Sequence, residues 1–116
     1  MRKDIADKWV AALRSGEYKQ SRYSLTDGQG FCCLGVLCDL ARKEGLGNFV
    51  NGEFISAINE DDYHSSHLPK VVSDWADIDT SGGYVPSIGN SLMHLNDNGQ
   101  TFNYIADVIE QNYESI

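Results

Sequence analysis

Phe31-Cys32-Cys33-Leu34-Gly35-Val36-Leu37-Cys38-Asp39-Leu40-Ala41-Arg42-Lys43-Glu44 is apolar for its first eight residues, turns polar, and is followed by Gly45. Length, leucine content and the closing glycine predict a helix over 31–44 whose first two turns are buried almost all round. Gly35 inside it costs about 1 kcal/mol against alanine, so another element is expected to approach the backbone closely there. Around this central helix, Ile5, Trp9, Ala12 and Leu13 recur at helical spacing, with Arg14 in the last turn and Gly16 beyond, and predict a helix over 4–15. Thr101 caps a third helix over 101–113 that carries Phe102, Ile105, Ala106, Ile109 and Tyr113 on one face. A two-turn helix is expected near 69–76, opening on Pro69 at its first position.

Between Phe49-Val50 and Phe54-Ile55 stands Asn51-Gly52, the pair a type I′ hairpin turn requires. A hairpin is therefore expected over 49–55. Glu17 to Thr26 reads as a short strand or extended arm, and Asp27-Gly28-Gln29-Gly30 as a turn. Residues 59–67 read as a loop, and 77–90 as an irregular excursion with a short extended piece at Tyr84-Val85. Ser91 to Leu95 reads as a short apolar segment closed by the turn Asn96-Asp97-Asn98-Gly99. The expected fold is one α+β domain over 1–116, with a small antiparallel sheet. Its expected core is Trp9, Leu13, Phe31, Cys33, Leu34, Leu37, Leu40, Val72, Trp75, Leu92, Leu95, Phe102, Ile105 and Ile109.

With 116 residues, 41% of them hydrophobic, the chain has room for one core and no second one. The composition excludes the disordered, collagenous and disulfide-scaffold classes. No apolar run reaches the ~18 residues of a membrane span, and Met1 to Asp4 leads straight into an amphipathic pattern, so a cytoplasmic protein with no membrane association is expected. Charge is segregated. Residues 1–44 carry eight Lys/Arg against six Asp/Glu, net +2, whereas residues 45–116 carry Lys70 alone against eleven acids, net −10. Such a half repels phosphate and argues against direct nucleic-acid binding; cationic proteins are its natural partners.

The residues that bear chemistry give weaker patterns. Cys32, Cys33 and Cys38 are odd in number, and adjacent cysteines rarely meet the geometry of a bridge, so free buried thiols are expected. Together with His64 and His67 they supply five possible metal ligands, but the cysteines lack the pairwise spacing of a zinc site, and no metal or other cofactor is expected. A thiol at a helix start is a possible nucleophile, with Cys32 the more exposed choice and His64, His67 or His94 as base, which defines an alternative: a cysteine-dependent hydrolase. The turn at 27–30 lacks the spacing and lysine of a phosphate loop, and the pairs Asp61-Asp62 and Asp77-Asp79 sit in polar stretches rather than in an apolar pocket. Tyrosines are favoured at interfaces. Several fall beside acids, which singles out Glu60, Asp61, Asp62 and Tyr63 with Asp77, Asp79 and Tyr84 as a partner-binding surface.

Three segments together, Trp9 to Gln20, Phe31 to Ala41 and Leu95 to Glu110, resemble a family of small proteins from tailed bacteriophages and prophages, and Leu68-Pro69 and Trp75-Ala76 are similar to its pattern as well. The resemblance carries over no catalytic residue. It implies a phage accessory protein acting in a bacterial cytoplasm, a setting in which small acidic proteins resemble inhibitors of host defence, anti-CRISPR proteins among them. The expected function is therefore a non-enzymatic protein that binds and inhibits a basic host protein. A second alternative, a protein that sequesters a nucleotide signal, would use the basic cluster Arg14, Lys19 and Arg22 at a pocket mouth.

Overall fold

The computed structural model describes residues 1–116 as an α+β domain of five helices and two small antiparallel sheets. Helix α1 spans Lys3–Arg14 and buries Ile5, Ala6, Trp9, Val10 and Leu13, the stripe its periodicity marked out. It packs most extensively on α5, Phe102–Asn112, which buries Phe102, Ile105, Ala106, Val108 and Ile109 in return. Arg14 clasps the two helices from outside through Asp107 and Glu110, at 2.6 and 3.0 Å. Helix α2, Cys33–Lys43, runs through the middle with every residue from Cys33 to Asp39 buried.

Gly35 explains how so tight a centre closes. A β-carbon there would overlap the Leu25 carbonyl oxygen and lie 2.8 Å from the carbonyl carbon, so the arm of residues 18–31 crosses α2 backbone against backbone. The arm is held by isolated bridges from Phe31 to Gln20 and Thr26 rather than by a continuous strand. Because it covers the start of α2, Cys32 is only 3% exposed, where the sequence suggested a more open thiol.

The hairpin forms from β1, Gly47–Val50, and β2, Glu53–Ser56, with Val50 opposite Glu53 and positive φ at both Asn51 (51°) and Gly52 (84°). A two-residue β3, Tyr63–His64, adds to β2 from within the stretch expected as a loop. Helix α3 covers Lys70–Ala76, with Pro69 one residue before it rather than inside. A second ribbon pairs β4, Tyr84–Val85, with β5, Asn90–Ser91. The segment after it is a helix, α4, Leu92–Asp97, opened by the Ser91 hydroxyl accepting from the His94 N–H; the sequence had suggested only a short apolar piece.

Eleven of the fourteen expected core residues are buried; Phe31, Leu40 and Trp75 are half-exposed, lying against the edge of the core instead. Leu25, Phe54, Leu68, Val85 and Ile116 join the interior unannounced. No helix is long and apolar enough to cross a membrane.

Candidate functional site

Residues of the segments Trp9 to Gln20, Phe31 to Ala41 and Leu95 to Glu110 bond to one another. Buried Trp9 donates its indole N–H to the Cys33 carbonyl at 2.9 Å. The Asn96 side chain, fully buried at the end of α4, accepts from the Cys33 N–H at 3.1 Å and from the Gln20 amide at 2.9 Å, and donates to the Ser21 carbonyl at 2.9 Å. The Tyr18 hydroxyl donates to Asp39 at 2.6 Å, and Arg42 closes on the same carboxylate at 2.7 Å. Burial works against the Asp39 charge, but the Tyr18 and Arg42 hydrogen bonds, with the Arg42 and Lys43 charges, outweigh it and hold the carboxyl below its ordinary value. These motif residues tie α1, the arm, α2 and α4 together, and each has a structural task.

Cys32, Cys33 and Cys38 are free thiols packed in the core. Cys32 sits at the N-cap of α2, where its sulfur accepts from the Gly35 N–H at 3.3 Å. That position favours a thiolate. Burial is the larger effect and pushes the thiol up to about 11, and it raises Cys33 and Cys38 well above their usual value as well. At neutral pH such a thiol stays protonated. No cysteine hydrogen-bonds a histidine: His94 meets Asn98, and His67 meets Ser66. The His64 and His67 rings lie 6.0 Å apart between centroids, tilted by 58°, and no third ligand of metal-binding type joins them.

The seven acidic and tyrosine residues singled out for docking fall at two ends of one short helix. Asp62 spends both carboxylate oxygens on the N-terminus of α3, accepting from Lys70 N and Val71 N at 2.8 Å each. It is a cap supplied from a distance, because Pro69 has no side chain that could do this. Glu60, Asp61 and Tyr63 remain exposed beside it. Asp77 closes the other end of α3 in a left-handed conformation (φ 55°), about 10 Å away by helical rise. Asp79 and Tyr84 follow; both are exposed and held through their backbone N–H groups, which donate to the Ile116 carbonyl and the Thr80 hydroxyl. No hydrogen bond or ion pair joins one group to the other.

The principal concavity lies elsewhere, in a cleft of about 510 Å³ between the turn Thr26–Gly28 and the hairpin tip Asn51-Gly52. Its base is Phe31 and Phe49, the middle pair of an edge-to-face series running Tyr18, Phe31, Phe49, Phe54 at 5.4, 5.7 and 5.2 Å between centroids. Asp27 stands on one wall. Its Oδ1 accepts from Gln29 N and Gly30 N at 2.9 and 2.8 Å, and those bonds hold the carboxyl below its ordinary value. Its Oδ2 has no partner. The sequence flagged the turn at 27–30 and the hairpin at 49–55 separately; nothing local in either said that they face each other. Of the basic cluster suggested for a nucleotide, none lines this cleft, and Arg14 is engaged with α5.

A small α+β domain with a cluster of motif residues at its centre and acids on its rim is the class this architecture defines. No curated protein and no solved structure matches the chain. A family model does match, over residues 1–113, and the chain belongs to that family, a domain of unknown function designated DUF8296.

Proposed function

We propose that this is a non-enzymatic, phage-type accessory protein of the bacterial cytoplasm that binds a basic host protein and blocks its action, the target class being nucleic-acid-binding effectors such as those of CRISPR defence. The observation that carries the reading is the charge segregation: eleven acids against Lys70 alone after residue 44. Arg14 answers two of those acids, Asp107 and Glu110, and Lys70 a third, Asp74; the other eight have no ion pair, and unpaired negative charge attracts cationic partners over a distance of about a Debye length and rejects phosphate. Glu60, Asp61 and Tyr63 on one side of α3, with Asp77, Asp79 and Tyr84 on the other, support it as exposed acid and aromatic contacts. The burial of all three thiols, which also shifts them upward, weighs against the hydrolase alternative.

The test is affinity capture from a bacterial host, with Glu60→Lys, Asp61→Lys as the control. Asp62 is left intact because its loss would unseat α3. A partner retained at low salt, released at high salt and not retained by the charge-reversed protein is expected. Binding unchanged by either salt or charge reversal overturns the reading.

A further inference from the structure

We infer that the cleft between Asp27 and the Asn51-Gly52 tip receives an arginine side chain presented by the protein partner. This rests on the docking reading above and names the chemistry of one anchor within it. Phe31 and Phe49 meet at an interplanar angle of 64°, so the base of the cleft offers aromatic surface rather than a flat aliphatic wall. Aromatic faces attract cations, and a planar, weakly hydrated guanidinium stacks on them better than a compact ammonium does. The carboxylate that would complete the contact is already in place. Two backbone N–H groups fix Asp27 through Oδ1, which leaves Oδ2 without a hydrogen bond or ion pair. Lys19 acts on Asp27 only at longer range.

The rim is polar as well. Thr26 and Asn51 bring hydroxyl, amide and carbonyl groups to a cleft whose volume, about 510 Å³, accommodates the end of a long side chain. Anionic ligands are disfavoured by a protein of net charge −8. A neutral apolar ligand would give the exposed Asp27 carboxylate no partner and would take water from it. An arginine satisfies the ring surface, the carboxylate and the overall field together, and its anchoring role matches the prominence of arginine among interface hot spots.

The test is a ¹H–¹⁵N NMR titration of the full chain with N-acetyl-arginine amide, beside N-acetyl-citrulline amide, which has nearly the same shape and no charge. Arginine is expected to shift the amides of Asp27, Gly28, Phe31, Asn51 and Gly52, with citrulline about tenfold weaker. Asp27→Asn keeps an oxygen for Gln29 and Gly30, and should reduce the arginine response about five- to tenfold while leaving citrulline unchanged. Phe49→Leu keeps the charge but removes a ring, and should weaken arginine about threefold. Equal responses to the two probes, an unaffected Asp27→Asn, or shifts confined to the acidic loops overturn the inference. The small probe reads the cleft without a partner, so its failure leaves the salt-dependent capture standing, and failure of the capture leaves this titration standing.

Discussion

Replacing Asn96 by alanine removes the joint where three parts of the chain meet. The Cys33 N–H lies in the fully buried first turn of α2, and without Asn96 Oδ1 it has no acceptor. An orphaned buried donor costs about 1–3 kcal/mol. The Gln20 amide and the Ser21 carbonyl are nearer water and lose about 0.5–1 kcal/mol each. The total is about 3 kcal/mol, a large share of the roughly 5–15 kcal/mol that holds a domain of this kind together. With a urea slope of about 1.5 kcal/mol per molar, the unfolding midpoint should fall by about 2 M with the slope unchanged. Asn96→Asp should be no better at neutral pH, since it turns an oxygen toward the Ser21 carbonyl. The double variant Gln20→Ala, Asn96→Ala should lose less than the sum of its parts, because the two share one bond. A midpoint shift under about 0.7 M for Asn96→Ala would refute the reasoning and mean that Cys33 finds another acceptor.

Tyr18→Phe takes a donor from Asp39, whose carboxyl is depressed in the folded protein; such a group adds stability above the ordinary carboxylate range and loses it as pH falls through the folded value. The variant's deficit should therefore be greatest near neutrality and shrink in acid, as read from urea midpoints across pH 3–7; a deficit that grows in acid contradicts the assignment. Iodoacetamide at pH 7.5 should leave all three cysteines of the native protein nearly unlabelled over minutes and modify them quickly in denaturant, whereas rapid native labelling of Cys32 would restore the hydrolase. Tyr23 is 73% exposed with φ at 72°, a left-handed conformation costly for a tyrosine. Tyr23→Gly should accordingly be neutral or stabilise by up to about 1 kcal/mol, and a loss beyond about 1 kcal/mol would show that the ring packs.

Periodic and local signals are legible in the sequence. Helices α1, α2 and α5 each repeat apolar residues for two turns or more, and the Asn51-Gly52 turn is a two-residue signal complete in itself. Helix α4 escaped because six residues are too few for a period, although its Ser91 cap stood in plain view. Asp62 looked like a free surface acid because the N–H groups it satisfies lie eight and nine residues away. The burial of Cys32 is hidden in the sequence for a similar reason: what covers it is an arm whose path only tertiary structure reveals. The cleft was invisible because its walls, around residues 27 and 51, come from separate turns brought together by the crossing of that arm.

The seam between Leu25 and Gly35 fixes where this scaffold tolerates redesign. A side chain at 35 leaves the arm no room to repack in place, so it must lift, and Thr26 and Asp27 lift with it. Grafts or random libraries at the exposed residues Ala57 to Asp61 should alter recognition without touching that pivot, whereas Phe54 is core, Asp62 caps α3 and the Ser65 carbonyl accepts from the Leu25 N–H. Any residue other than glycine at position 35 should dismantle scaffold and recognition in one stroke.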